Sequence, residues 1–140
     1  MAFQFSVATR NAWLDAIETY GGTSCSLEIR SGTLPANCGT ATSDGAVLVT
    51  INLPSGWMAA ASSGTKDKSG TWEDTSADAT GTAAFFRVYN SQATKNNTTC
   101  IIQGSVTATG GGGDMTVQNT SIASGQTVTV TTFTLTAGGA

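Results

Sequence analysis

Three carboxylates, Glu73, Asp74 and Asp78, form the densest group of potential catalytic side chains in the sequence. Paired carboxylates can hydrolyse glycosides, and carboxylate oxygens are also the usual ligands of Ca²⁺. If the segment is a strand, Glu73 and Asp74 point to opposite faces, and the spacing does not match an EF-hand loop. We therefore interpret the group as a solvated loop and strand edge, and we predict no metal-binding residues.

The sequence contains no histidine. This removes the usual general base near neutral pH, together with every Ser/His/Asp and Cys/His catalytic arrangement. Four consecutive glycines at residues 110–113 lack the strand–glycine–helix context of a phosphate-binding loop, and Asp114 follows them. The sequence therefore predicts no catalytic residue and no cofactor, and we expect that the protein is not an enzyme.

The three cysteines, Cys25, Cys38 and Cys100, do not have the spacing of a zinc site. The N-terminus lacks a charged segment followed by a long apolar run, so we expect no signal peptide and synthesis in the cytoplasm. In that reducing compartment free thiols are expected, with one disulfide plus a spare thiol as the alternative. No stretch approaches the ~20 apolar residues of a membrane helix, so no membrane partner is expected.

Charged residues are sparse, at 11% of the chain, and the net charge is −3. The six basic residues are scattered rather than gathered in a stripe, so direct binding to nucleic acid is not expected. A surface rich in Thr, Ser and Gly with few charges suits a protein that is packed against other proteins.

One segment, residues 9–20, has the periodicity of an amphipathic helix, with Thr9 as its predicted N-cap and Gly21 as its stop. Asp15 and Glu18 lie off the apolar stripe. Trp13 is expected in the core. The stripe falls at i, i+3, i+4 and i+7 and consists of Trp13, Ala16, Ile17 and Tyr20.

The rest of the chain reads as short strands separated by turn residues, and residues 3–7 could form one more. In the last strand, Val128 and Val130 share one parity and Phe133 and Leu135 the other, which indicates a β-bulge near Thr131 and Thr132 or, alternatively, a strand that changes the neighbour on which it packs. Residues 59–69 and 107–114 are expected to be mobile loops. The predicted strands are residues 26–30, 47–53, 70–75, 82–89, 98–106, 115–117 and 126–136.

This strand count predicts an all-β fold in a single domain spanning residues 1–140. The expected architecture is an antiparallel jelly-roll-like sandwich with one short N-terminal helix. Because helix-sized crossovers do not alternate with the strands, a parallel α/β sheet is not expected.

Four apolar residues are candidates for an interface with a partner: Phe3, Phe5, Trp57 and Met58. Trp57 follows a Pro-Ser-Gly turn and is the tryptophan most suited to a surface role, whereas Trp72 lies in a predicted strand and is expected in the core. A tryptophan at a turn could also stack on a sugar ring, which leaves a carbohydrate-binding module as one alternative.

Four segments resemble the jelly-roll cement (decoration) proteins of podophage heads: ATRNAWLDAI at residues 8–17, LPSGWMAAA at 53–61, FRVY at 86–89 and SIASGQTVTV at 121–130. The resemblance covers most of the chain. It implies a structural virion protein on the outer surface of the head that clamps neighbouring major capsid subunits and stabilises the shell. Self-association as a homodimer is expected. A head–tail joining or tail protein is the nearest alternative.

Overall fold

The computed structural model describes residues 2–140 and begins with a single helix, α1, spanning Val7–Gly21. Ser6 caps it, because the Ser6 side chain accepts a hydrogen bond from the Thr9 N–H at 3.1 Å. The helix therefore starts before the predicted cap, Thr9. It ends at Gly22, whose φ of +76° favours glycine and whose N–H donates to the Glu18 carbonyl.

Ten strands follow the helix and account for all the strands predicted after residue 20. Their bounds are β1 Ser26–Arg30, β2 Val47–Asn52, β3 Thr65–Asp67, β4 Glu73–Asp74, β5 Gly81–Thr82, β6 Phe85–Tyr89, β7 Cys100–Ala108, β8 Met115–Val117, β9 Ser121–Ile122 and β10 Val128–Thr136. The all-β prediction with one N-terminal helix is confirmed. Residues 3–6 are not in a strand.

Eight strands form one sheet in the order β2-β1-β6-β7-β8-β10-β3, with β4 also paired to β10, and β5 pairs with β9 separately. The sheet curls, since β4 near one end contacts β2 at the other, where the Thr50 N–H donates to Asp74 Oδ2 at 3.1 Å. β7 and β8 are parallel, so the sheet is mixed rather than wholly antiparallel as predicted. This topology does not establish the predicted jelly roll.

The parallel pair depends on the glycine run. Val106 lies opposite Met115, so the chain must leave β7, reverse and enter β8 within a few residues, where a parallel connection normally needs a dozen or more. Gly110 and Gly112 adopt φ values of +83° and +79°, which side chains rarely tolerate. The Gly113 N–H donates to Thr107 Oγ1 and holds the turn against β7. Residues 107–114 are thus an anchored reversal rather than a free loop.

An aromatic cluster fills the inside of the curled sheet. The ring centroid of Trp72 lies 6.2 Å from that of Trp57 and 5.4 Å from that of Phe133, and Phe86 meets Phe133 edge-on. The Trp72 indole N–H donates to the Ser69 carbonyl at 3.0 Å, so this buried donor is satisfied. The prediction that Trp72 is a core residue is confirmed.

The last strand carries the predicted β-bulge. The pairing of β10 with β8 shifts register between Val130 and Thr132. The extra residue places Val128, Val130 and Phe133 in the core together, although their spacing would put Phe133 on the other face of a regular strand. A parity change in the sequence was sufficient to locate this bulge.

Candidate interaction surface

The helix docks on the sheet through its polar side. Three side chains on its inner face each accept a hydrogen bond from a backbone N–H in the segment that precedes β3. These bonds fix the position of α1 along the sheet and its rotation about its own axis. These acceptors are Asn11 from Gly64 at 2.9 Å, Asp15 from Ala61 at 3.1 Å and Glu18 from Met58 at 3.3 Å. The predicted loop at residues 59–69 is accordingly an ordered element that contains β3.

Lys66 in β3 lies under this polar face. Its side chain is 1% exposed, and its ammonium group is 2.6 Å from Asp15 Oδ1 and 2.9 Å from Glu18 Oε2. Burial disfavours the charged amine, but the hydrogen bonds and charges of the two carboxylates outweigh it and raise the pKa of Lys66. The hydrogen bond from Lys66, followed by the Ala61 N–H, lowers the pKa of Asp15. The ion pairs thus keep both partners charged.

Because the polar side faces inward, much of the apolar stripe faces outward. Trp13 and Tyr20 are 48% and 72% exposed, so the prediction that Trp13 is a core residue is wrong. Leu14 is buried instead, and Ile17 is half-buried against the core. The physical reason is Lys66: a buried ammonium group needs carboxylate partners, and only the Asp15 face of the helix supplies them.

Exposed apolar side chains are concentrated near the N-terminus. Of six large apolar residues exposed in the described part of the chain, five lie between residues 3 and 20, and the sixth is Leu34. The Phe5 ring lies 4.5 Å from the Trp13 ring, and the Phe5 N–H donates to the Gly139 carbonyl at 2.7 Å. The backbone near the C-terminus therefore holds the segment that precedes α1 beside the helix.

A shallow apolar groove of about 400 Å³ continues this surface between α1 and the start of β7. It is lined by Trp13, Ala16, Ile17, Tyr20, Cys100 and Ile101. Below it, the helix approaches the core closely at Gly21, where a Cβ would lie 2.9 Å from the Trp57 ring and from Cys25 Sγ. We define the apolar strip as Phe3, Phe5, Trp13, Ile17, Tyr20 and Ile101. A concentration of exposed apolar side chains of this kind is typical of sites that bind other macromolecules.

The structure divides the four predicted interface residues. Phe3 and Phe5 are exposed and belong to the apolar strip, and their contact with a partner remains a prediction. Trp57 and Met58 are 0% and 5% exposed, so the expectation that they offer a surface to a partner is corrected. Trp57 packs between Trp72 and Gly21 at the end of α1. The end of the helix therefore covers the Trp57 ring.

The carboxylates that suggested chemistry are engaged in closing the sheet. Asp74 accepts the Thr50 N–H, Asp78 accepts the Thr50 hydroxyl at 2.7 Å, and Glu73 accepts the Thr129 hydroxyl at 2.9 Å. These bonds link β4 and the residues after it to β2 on one side and β10 on the other. The arrangement favours the interpretation of a strand edge over a calcium site or a glycosidase pair.

Within residues 2–140, no group of three or more Cys, Asp or Glu side chains is placed to hold a metal ion. The described part of the chain also contains no helix long and apolar enough to cross a membrane. Comparisons of the chain with protein-family models, with curated proteins and with solved structures found no match. The functional interpretation therefore rests on the surface described above and on the sequence itself.

Proposed function

We propose that this protein is a non-enzymatic cement protein that binds the outer surface of a tailed-phage head and clamps neighbouring major capsid subunits. The observation that carries the proposal is the apolar strip, which a helix leaves exposed because its polar face is anchored on Lys66. An apolar surface held in place by ion pairs on its opposite side is suited to a partner rather than to the protein's own core. The resemblance of residues 8–17, 53–61, 86–89 and 121–130 to cement proteins supplies the class of partner.

The sheet edges support the choice of the apolar strip as the binding surface. At the outer edge of β2, Asp74 accepts the Thr50 N–H, and the Asp78 N–H donates to the Leu48 carbonyl at 2.8 Å. At the outer edge of β3, the Ala59 N–H donates to the Asp67 carbonyl at 2.8 Å. Because these edges are already covered, a partner strand has little free backbone with which to pair.

The mechanism we propose is mechanical. A clamp bound across a subunit boundary stabilises the assembled shell by its binding free energy, and many copies multiply a modest contribution per site. Burying one large apolar side chain contributes about 1.5–3 kcal/mol, from which the cost of association is subtracted. Two or three anchors would contribute about 3–9 kcal/mol, which is comparable to the cost of association, so stable binding needs most of the apolar strip to be buried together.

Two finer expectations accompany this proposal. The resemblance implies a jelly-roll-like sandwich, and an experimental structure would test whether the curled sheet divides into two packed layers. It also implies a homodimer, which sedimentation velocity of the isolated protein would test. A dimer that persists when Phe3 and Trp13 are both replaced by serine would use a surface other than the apolar strip.

The test compares binding to heads that lack the protein. Wild-type protein should bind these heads and raise the temperature at which they release DNA, whereas the double variant Phe3→Ser/Trp13→Ser should do so weakly. Leu34→Ser is the control, because Leu34 lies outside the apolar strip and its exposed fraction of 40% is close to the 48% of Trp13. Circular dichroism would verify that each variant is folded.

Three outcomes would count against the proposal. Heads that withstand heating equally well without the protein would remove the cement role. Labelling confined to the tail or to the portal vertex would favour a head–tail joining or tail protein. Specific binding on a glycan array, without binding to heads, would favour the carbohydrate-binding module.

A further inference from the structure

The loop between β1 and β2, residues 31–46, is held over the outer face of β6 and β7. Side chains from the strands and from the connection between them fasten its backbone on both sides of Cys38. These bonds are Arg87 to the carbonyls of Asn37 at 3.1 Å and Thr40 at 2.6 Å, Gln103 to that of Pro35 at 2.6 Å, and Asn97 to that of Gly39 at 3.2 Å. Cys38 therefore has little freedom to move away from the strands.

Cys100 lies at the start of β7, directly under this loop. In the β6–β7 pairing Tyr89 lies opposite Cys100 and Arg87 opposite Gln103, so Cys100 occupies the surface on which the loop is fastened. The Cys100 thiol donates to the Ile102 carbonyl at 3.6 Å, and the neighbouring Cys38 contributes to a raised pKa of Cys100. Both cysteines are partly exposed, whereas Cys25 is fully buried in the core, and all three are free thiols in the structure.

We propose that Cys38 and Cys100 form a disulfide under oxidising conditions and so bind residues 31–46 covalently to β7. Cys100 also lines the groove beside the apolar strip, but the proposal does not rest on binding to a head. Cys38 and Cys100 are then the pair that is oxidised, and Cys25 remains a free thiol. A protein made in a reducing cytoplasm would acquire this bond only after release from the cell.

The oxidant we name is a small-molecule disulfide such as oxidised glutathione. The Cys38 thiolate attacks one glutathione sulfur, which breaks the glutathione S–S bond and releases one glutathione as its thiolate. The Cys100 thiolate then attacks Cys38 Sγ and expels the second glutathione. Two protein thiols are oxidised, one glutathione disulfide is reduced to two thiols, and the two protein protons pass to the glutathione products.

The environment of Cys100 makes it the second nucleophile. Burial, followed by the neighbouring Cys38 thiol, raises the pKa of Cys100 to about 12. Only a small fraction of Cys100 is thiolate near neutral pH, so closure of the bond should be slow there and should accelerate with increasing pH. The fastened loop compensates in part, because it holds Cys38 over the start of β7 and makes the second step intramolecular.

The experiment incubates the folded protein with oxidised glutathione and counts free thiols after denaturation without reductant. The count should fall from three to one, and mass spectrometry should find the Cys38 and Cys100 peptides joined with the loss of two hydrogens. The melting temperature should rise on the order of 10 °C, because the bond closes a long loop of the unfolded chain. Reduction should reverse the shift.

Two variants sharpen the result. In Cys38→Ser, Cys25 and Cys100 should remain free thiols or form only glutathione adducts, and the melting temperature should not rise. Cys25→Ser should retain the Cys38–Cys100 bond, and peptide mapping reports this even if the variant is less stable. Three free thiols in the oxidised wild-type protein, glutathione adducts without the joined peptides, or a bond that includes Cys25 would each overturn the proposal.

Discussion

Two buried cations hold two parts of the chain against the sheet by different chemistry. Lys66 lies beneath α1 and pairs with Asp15 and Glu18, whereas Arg87 lies beneath residues 31–46 and donates to backbone carbonyls and to Gln103. The carboxylates around Lys66 are 50% and 25% exposed, so water can reach them if the lysine is removed. The acceptors around Arg87 are neutral, and the Arg87 side chain that they surround is itself 1% exposed. The two regions should therefore respond differently when the cation is lost.

The difference shows which residue type each site requires. Lysine supplies a point charge that two carboxylates neutralise, and this pairing turns the polar face of α1 inward. Arginine supplies a planar fork of donors, which lets one side chain reach two loop carbonyls and a glutamine at once. One site is held chiefly by charge and the other chiefly by directional hydrogen bonds.

The largest expected effect is that of Arg87→Met. The substitution leaves the carbonyls of Asn37 and Thr40 and the Gln103 side chain without their donor, and we expect a loss of about 3–5 kcal/mol of unfolding free energy. Urea denaturation measures the loss, and Lys95→Met is the control for removing a basic residue nearer the surface. A change similar to that of the control would mean that the loop is held by other contacts.

Lys66→Met should have a smaller and more local effect. The methionine keeps the apolar stem, and the two carboxylates can rehydrate, so we expect a loss of about 1–3 kcal/mol rather than the cost of a fully buried unpaired charge. Hydrogen exchange should accelerate in α1 while the amides of β1 and β6 remain protected. Uniform acceleration across the sheet would show that Lys66 supports the whole fold and not the helix alone.

Trp13→Ala should cost about 1 kcal/mol, because the side chain is half-exposed and the substitution opens no closed cavity. Trp72→Ala is the matched comparison in the core, where the same change should cost about 3–5 kcal/mol. The two urea midpoints can be measured side by side. Equal losses would mean that Trp13 is buried in solution and that the helix presents a different face.

The smallest expected effect is on the stability of the protein at acid pH, to which Asp15 contributes. Its pKa in the folded protein lies below the ordinary value of 3.8, so the group stabilises the fold above pH 3.8 and this contribution is lost as the pH falls through the folded value. Asp15→Asn should therefore show a weaker dependence of stability on pH below about pH 4 than wild-type protein. Identical acid profiles for the two proteins would argue against the Lys66–Asp15 pairing.

Local patterns were sufficient for much of the fold. Alternation located β1 and β2, and the parity change in β10 located its bulge. The parallel β7–β8 pair was missed, because a short connection between parallel strands is uncommon and the glycine run was interpreted only as a mobile tip. Strand propensity describes single segments, and the direction of pairing is decided by the tertiary structure.

The candidate surface was predicted only in part, for a comparable reason. Phe3 and Phe5, which were selected as interface candidates, are exposed, but the orientation of α1 depended on Lys66, which is distant in sequence. The periodicity of residues 9–20 shows that the helix has an apolar side and does not show which side packs inward. The sequence feature that could have indicated the orientation is the pair Asp15 and Glu18, whose i, i+3 spacing lets both carboxylates neutralise one buried cation.

The most direct test of the central claim is hydroxyl-radical footprinting of the protein free in solution and bound to heads. We predict that Phe3, Phe5, Trp13 and Tyr20 are oxidised readily in the free protein and protected on the head, while Leu34 is oxidised equally in both states. Protection of Leu34 with continued oxidation of Trp13 and Tyr20 would contradict the claim that the apolar strip binds the shell.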